Sequence, residues 1–307
     1  MNILIIGIGS ISKKHIYSIK KIIKNPVIYG LRSNKLKCSK LKDVQNIFEL
    51  SDLNTKIDFV IISNPTHLHY NSIINSLNLN CPLFIEKPVL SSLENSSKIL
   101  SLIKKNKIKT YVACNLRFHP LLKFLKIFLK NKINNINEVN VYCGSFLPEW
   151  REVEDFRKSY SANYKMGGGV HLDLIHELDY CIWIFGFPNK IHANKRSVSS
   201  LNISSIDSAL FVLEYDSFNI NINLNYYRTD TKREIEILLE NETIKGDLLK
   251  NSLKSLKSNK IIFKSKFKIM DTYIEQMEYF VNNVNQKDKY MNDFNEALSI
   301  LKLALHE

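Results

Sequence analysis

Three places in the sequence group side chains able to handle phosphates or protons. Near the start, Gly7-Ile-Gly9-Ser10-Ile11-Ser12 follows a short apolar run directly. Glycines at that spacing let main-chain N–H groups approach a pyrophosphate at the head of a helix. Ser12 stands where a third glycine is usual and is still small enough for helix–strand packing. A second group sits where two further apolar runs end, in Ser63-Asn64-Pro65-Thr66-His67-Leu68-His69 and in Glu86-Lys87-Pro88. The third follows Gly167-Gly168-Gly169: Asp173, His176, Glu177 and Tyr180 recur at helical spacing, opposite a stripe of Leu174, Leu178, Cys181, Ile182 and Phe185. His176 has the one side chain whose ordinary pKa lies near neutrality, which suits a general acid or base. Asp173 is placed to orient it or to accept a hydroxyl.

Each group also has a plainer reading. The polar stripe is equally the solvated face of a helix with an aspartate at its start, and a lysine at a strand end is often a surface lysine. A metal site is not expected, because His171 and His176 fall about 140° apart on a helix, a poor geometry for shared ligation. At the end of the second apolar run, Arg32 and Ser33 occupy the place where a ribose-binding Asp or Glu is usual. A guanidinium beside a hydroxyl suits a 2′-phosphate, so NADP(H) is favoured, with NAD(H) possible.

The elements that must hold these groups are legible from periodicity. Residues 3–6, 27–31, 59–62, 83–85 and 110–113 are nearly continuous apolar runs, as strands buried on both faces of a parallel sheet require. Helical stretches at 12–24, 67–79 and 93–106 alternate with them. That βαβ order predicts a doubly wound Rossmann domain over 1–120. Beyond it the texture changes: 219–225 alternates Asn with Ile and Leu at period two, marking a strand with one solvated face. With further runs at 139–146, 209–215 and 234–239 and helices at 121–130, 273–284 and 292–306, residues 121–307 are expected to form an α+β domain with a mostly antiparallel open sheet. The whole is α/β in class.

The 307 residues carry a formal charge of +13, yet 45% are hydrophobic and 24% charged, a globular balance that excludes disordered and fibrous classes. The excess is lysine, spread along the chain without a basic block or an aromatic–basic module, so no nucleic-acid partner is expected. Five cysteines (38, 81, 114, 143 and 181) form no C-x-x-C pair, which fits free thiols in a reducing, cytoplasmic setting. No run nears the ~18 apolar residues of a membrane span, and no membrane partner is expected.

Gly7-x-Gly9, Asn64-Pro65-x-x-x-His69 and Glu86-Lys87-Pro88 together resemble the Gfo/Idh/MocA family of NAD(P)-dependent oxidoreductases. Asn115-Leu116-Arg117-Phe118-His119-Pro120 and the Gly167–Gly169 run resemble further segments of it, and Trp150-Arg151 with Tyr160 resembles a branch found in bacterial surface-sugar pathways. The resemblance implies Lys87 at the reacting hydroxyl or carbonyl, with a Lys-Pro peptide that is often cis, and His176 and Asp173 as its catalytic companions. It implies cofactor contacts from Gly7, Gly9, Ser10, Ile11, Arg32, Ser33, Ser63, Asn64, Pro65, His69, Glu86, Lys87 and Asn115. Substrate contacts are implied for Lys87, Arg117, Trp150, Arg151, Tyr160, Asp173 and His176: an aromatic face stacks on a pyranose, and arginine pairs with a carboxylate or phosphate. The family more often spaces the aspartate and histidine as Asp-x-x-x-His, whereas here they read Asp173-Leu-Ile-His176-Glu177, leaving His176 or Glu177 for the acid/base position. The implied activity is hydride transfer between nicotinamide and a carbon of a sugar, amino sugar or nucleotide-sugar, in a homodimer or homotetramer. The alternative is a non-catalytic regulator that senses nucleotide or sugar on the same fold.

Overall fold

The computed structural model describes residues 1–33, 41–151 and 155–306, so Cys38 lies outside them. By contacts the chain forms two compact units, Met1–Asn115 with Ile269–Ser299, and Leu116–Lys268 with Ile300–Glu307.

The first unit is built on β1 (Asn2–Ile6), α1 (Ser10–Ile22), β2 (Val27–Leu31), β3 (Gln45–Ile47), β4 (Phe59–Ile62), α2 (His69–Leu77), β5 (Leu83–Ile85), α3 (Ser96–Lys105) and β6 (Thr110–Val112). Its six strands are all parallel, in the order β3-β2-β1-β4-β5-β6. This is the doubly wound order, in which the run of strands reverses between β1 and β4 and ligands bind outside the carboxyl ends. The apolar runs are interior: Ile3, Leu4, Ile5 and every residue of β4 have no exposed surface. β3 escapes the sequence reading because its three residues at the sheet edge bury only Ile47.

The second unit begins with α4 (Pro120–Phe128) and β7 (Ile136–Gly144), then α5 (Val170–Asp173), α6 (His176–Phe185), β8 (Lys190–Arg196), β9 (Ser208–Glu214), β10 (Asn219–Asn225), β11 (Lys232–Leu239), β12 (Thr243–Asp247), β13 (Ser252–Ser255) and β14 (Ile261–Lys264). These eight strands form one sheet, β14-β13-β12-β11-β7-β10-β9-β8, antiparallel except where β10 runs parallel to β7. The period-two alternation is present, with Ile220, Ile222 and Leu224 fully buried and the intervening asparagines on the open face. β8 carries no such signal, because none of its residues is buried.

Two helices close the chain, α7 (Ile269–Asn282) and α8 (Phe294–Ala304). The sequence reading grouped both with 121–307, but α7 packs into the first unit. Its Met277 and Phe280 are fully buried with Phe59, Phe84 and Tyr111. The Phe280 ring lies edge-on to Phe59 at 5.1 Å and to Phe84 at 5.3 Å, and stacks on Tyr290 at 5.0 Å. An amphipathic stripe states that a helix has a buried face but not which sheet receives it, so this return is invisible to periodicity.

Removing the Phe280 ring would leave a cavity in that aromatic cluster. Phe280→Ala is expected to cost about 3–5 kcal/mol in urea unfolding. Leu249→Ala, at a position 55% exposed, should stay within about 0.5 kcal/mol.

Candidate active site

In the first unit the candidate groups gather at the carboxyl ends of β1, β4 and β5. Gly7 has φ +89°, and a Cβ there would lie 2.5 Å from the Asn64 main chain, so the turns after β1 and β4 cross too closely for any side chain. At Gly9, by contrast, a Cβ would meet nothing within 4 Å. Gly9 caps α1, no side chain caps its first N–H groups, and its first turn carries no acidic residue. The fully buried Ser12 donates its hydroxyl to the Gly9 carbonyl at 2.8 Å and ties the turn from inside. Open space before an uncapped helix N-terminus is what a pyrophosphate requires. Asn64 adds a buried Oδ1 with no hydrogen-bond partner, while its Nδ2 donates to Ser72. These residues fit a bound dinucleotide.

Arg32 follows β2 directly, and its Nε donates to Asn46 Oδ1 of β3 at 3.0 Å, with exposed Ser33 beside it. Other residues expected at the cofactor are tied within the chain. Ser63 donates its hydroxyl to the Gly7 carbonyl at 2.9 Å. His69 is 1% exposed and spans the Asn64 and Val89 carbonyls at 3.0 and 3.2 Å, and burial pushes its ring below the usual imidazole range. Asn115 is buried and donates its amide to Thr272 Oγ1 at 2.8 Å. These side chains hold in place the segments that follow β4 and β6.

The segment after β5 has an anchor that the motifs did not reveal. Glu86 is buried, and one carboxylate oxygen lies 2.6 Å from Nε2 of His15, itself wholly buried on α1. The other oxygen accepts the Lys87 main-chain N–H at 3.2 Å. Burial alone would raise the Glu86 carboxyl; the hydrogen bond and charge from His15, with the charge and N–H of Lys87, outweigh it and hold it below the usual range. The half-buried Lys87 precedes a cis Lys87–Pro88 peptide.

In the second unit the glycine run serves the chain's own folding. A Cβ on Gly168 would lie 2.2 Å from the Tyr160 carbonyl and 2.6 Å from that of Ser161, while Gly167 and Gly169 have φ +82° and +136°. The glycines therefore let the 160–163 loop press onto the start of α5. Asp173, at the end of α5, accepts the hydroxyls of Tyr160 and Tyr226, each at 2.5 Å. Burial, then the Asp173 charge and hydrogen bond, raise both phenols well above their ordinary range, so they remain protonated donors. Trp150 packs edge-on to Tyr226 at 5.2 Å and donates its indole N–H to Ser145. The guanidinium of exposed Arg151 lies over the Tyr160 ring at 4.8 Å. Asp173, Tyr160, Trp150 and Arg151 thus form one cluster, with Tyr226 as an unforeseen member. Tyr226 continues the buried parity of Ile220, Ile222 and Leu224, and a core-facing tyrosine needs a partner for its hydroxyl.

The expected polar stripe from Asp173 to Tyr180 is not a single helical face. The chain leaves helical form at 174–175, so α5 ends at Asp173 and α6 starts afresh at His176. Glu177 is fully buried in a two-pronged pair with Arg233, at 2.6 and 3.1 Å. Tyr180 is fully buried as well. Asp179 is held by Arg117, whose fork contacts it at 3.0 and 2.7 Å, and both side chains are 1% exposed. Arg117, expected at the substrate, is thus buried in a pair with Asp179. Lys126 Nζ donates to the Trp183 carbonyl, fixing the far end of α6. Of the stripe, only His176 keeps partial exposure. Among the described residues, no three His, Cys, Asp or Glu side chains are grouped to hold a metal ion.

Comparison with known proteins agrees with this architecture. The model of the oxidoreductase family with NAD-binding Rossmann fold, Gfo/Idh/MocA, matches residues 1–114, and that of its C-terminal alpha/beta domain matches 128–304. The chain belongs to the Gfo/Idh/MocA family. Among curated relatives, the uncharacterized oxidoreductase YrbE of Bacillus subtilis (strain 168) is 26% identical over 69% of this chain and 63% of its own. The matched stretch thus spans under two thirds of that relative. Myo-inositol 2-dehydrogenase of Thermotoga maritima is 22% identical over 92% of this chain and 88% of its own. Among solved structures, the WlbA dehydrogenase of Bordetella pertussis in complex with NADH and UDP-GlcNAcA superposes with a TM-score of 0.79. It is 17% identical, covering 99% of this chain and 94% of that one. Among the described residues, no helix is long and apolar enough to cross a membrane.

Two tests follow from the buried charges and rings. Arg233→Ala leaves Glu177 buried without its counter-charge and is expected to cost about 3–5 kcal/mol, read by denaturant unfolding at pH 7. His119 and His171 are each pushed down to about 4 by burial, against an ordinary 6.5. Unfolding frees each ring to take a proton at its ordinary value, so stability falls as pH drops from 6.5 toward about 4. At about 1.4 kcal/mol per pKa unit, each ring contributes on the order of 3 kcal/mol to that loss. His119→Gln keeps a donor for the Leu248 carbonyl and should flatten the acid limb of the stability curve, whereas an unchanged slope would contradict the assignment.

Proposed function

We propose that this chain is an NAD(P)-dependent oxidoreductase acting on a hydroxyl-bearing carbon of a sugar, amino sugar or nucleotide-sugar. The observation that carries the reading is the open, uncapped α1 N-terminus at Gly9, in the same unit that presents Lys87 beyond the carboxyl end of β5. Main-chain N–H groups of Ser10 and Ile11 would receive the pyrophosphate, and Asn64 and Pro65 would line the turn beside it. The nicotinamide, when bound, supplies the hydride acceptor or donor at its C4. Arg32, steadied by Asn46, favours a cofactor with a 2′-phosphate, and with it reduction of a ketone in a biosynthetic step.

Lys87 is assigned to the reacting oxygen, where an ammonium lowers the cost of negative charge on a developing alkoxide. His176 is assigned the proton: it takes it from the hydroxyl during oxidation and returns it during reduction. Glu177, the other candidate, is buried against Arg233, which supports His176 for this task. Arg151 and the Tyr160 face are assigned to an anionic sugar, with Asp173 holding Tyr160 in place. Among the described residues, Cys81, Cys114, Cys143 and Cys181 are buried and outside any disulfide, in keeping with a reducing, cytoplasmic setting, and the resemblance supports a homodimer or homotetramer.

The test is fluorescence titration with NADPH and NADH, followed by turnover on a panel of sugars and nucleotide-sugars. NADPH should bind more tightly, and Arg32→Ala should weaken it roughly tenfold while changing NADH by less than about threefold. Equal, weak binding of both cofactors would end the Arg32 assignment. Lys87→Ala should lower kcat roughly 100- to 10,000-fold. Undiminished turnover in that variant would exclude the mechanism.

A further inference from the structure

The pair between His15 and Glu86 has no part in the reading above, yet it joins the two segments on which that reading depends. His15 lies in the second turn of the helix that Gly9 opens, and Glu86 immediately precedes Lys87. Their contact is 2.6 Å and both residues are buried, with nothing of the His15 ring exposed. The ring is set from the side as well, edge-on to Phe84 of β5 at 4.9 Å and to Tyr273 of α7 at 6.2 Å. Lys14 covers the Tyr273 ring at 4.6 Å. Nδ1 of His15 has no hydrogen-bond partner, so the ring's polar engagement is through Nε2. Held in this way, the Glu86 carboxylate offers its second oxygen to the Lys87 N–H at 3.2 Å.

One carboxylate therefore bridges an imidazole on α1 and the main chain of the lysine. A donor at Nε2 fixes one oxygen of the carboxylate, and the rigid carboxylate plane fixes the other. Without that donor, the carboxylate turns about its own side-chain bonds and the Lys87 N–H loses its acceptor. We propose that His15 is a positioning residue: through the Glu86 carboxylate it holds the main chain bearing Lys87 in register with the helix that opens at Gly9. The inference rests on the functional reading for the task of Lys87, but its geometry belongs to the first unit alone.

The test compares His15→Gln with His15→Asn in the full chain. Glutamine places an amide N–H near the position of Nε2, whereas asparagine is one bond shorter and does not reach Glu86. Amide hydrogen exchange at Lys87, resolved by mass spectrometry, is expected to quicken at least tenfold in the asparagine variant. In the glutamine variant it should remain within threefold of the native chain. Should asparagine prevent folding, His15→Leu takes its place, since it fills the volume without a donor. Exchange unchanged in both variants, or altered alike in both, would overturn the proposal.

On a substrate that the native chain turns over, the asparagine variant should lose at least tenfold in kcat. KM and the cofactor Kd should stay within threefold, and glutamine should restore most of the rate. An unchanged kcat would also overturn the proposal. Undiminished turnover in Lys87→Ala would instead strike the functional reading, leaving the exchange comparison to decide on His15 by itself.

Discussion

β1 and β4 lie side by side although α1, β2 and β3 intervene between them, and just beyond their ends the chain crosses itself with no room for a side chain at Gly7. Much of the first unit depends on that crossing. It lies at the switch point of the sheet, where strand order reverses and the turns on either side part to leave a crevice. The Asn64 main chain packs against Gly7, and two residues on, Gly9 opens onto space at the head of α1. The turn after β4 is then pinned from behind by Ser63 and His69. A larger residue at Gly7 would drive the two turns apart, dislodging the helix N-terminus and the Asn64 side chain together.

The second unit meets a different constraint, that of burying two carboxylates in the first turn of one helix. Nearly every side chain of α6 is interior, so two of its acidic residues need cations beside them. Arg233 from β11 serves Glu177 and Arg117 serves Asp179, each with a planar fork on a carboxylate. Both acids stand in the first turn, where the helix dipole also favours them. The result is a helix whose rotation about its axis is fixed by directional bonds as well as by apolar packing. His176 is the residue left partly exposed by that orientation.

The parallel strands were legible because burial on both faces leaves only apolar residues, as all of β4 shows. So were the glycine turn, the Glu86-Lys87-Pro88 segment and the alternating strand β10. Periodicity missed several elements. β12 and β13, interior in the second sheet, are only five and four residues long and too short to establish a period. Edge strands such as β3 and β8 bury too little to leave a pattern, and the destination of α7 is a tertiary fact that its own stripe does not encode. The candidate site was legible as residue types more than as roles. Arg117, His69 and Glu177 have the chemistry of ligand-binding groups, but each is spent on a partner distant in sequence: Asp179, Val89 and Arg233. His15 and Tyr226 went unread for the converse reason. One resembles a helix-surface histidine and the other a core aromatic until the partner appears.

The two-pronged pairs on α6 have a bearing on the chain's lopsided chemistry. Of its 43 basic residues only seven are arginine. Arg117 and Arg233 grip buried carboxylates, Arg228 clasps Asp230, Arg32 meets Asn46, Arg157 faces Asp155 and Arg151 lies over the Tyr160 ring. The two-pronged contacts among these are tasks for a flat, multi-toothed cation, and a round ammonium performs them poorly. In a chain that otherwise meets its need for positive charge with lysine, arginine works as an index of shape. At Arg117 and Arg233 in particular, direction, beyond charge alone, is what the buried carboxylates require.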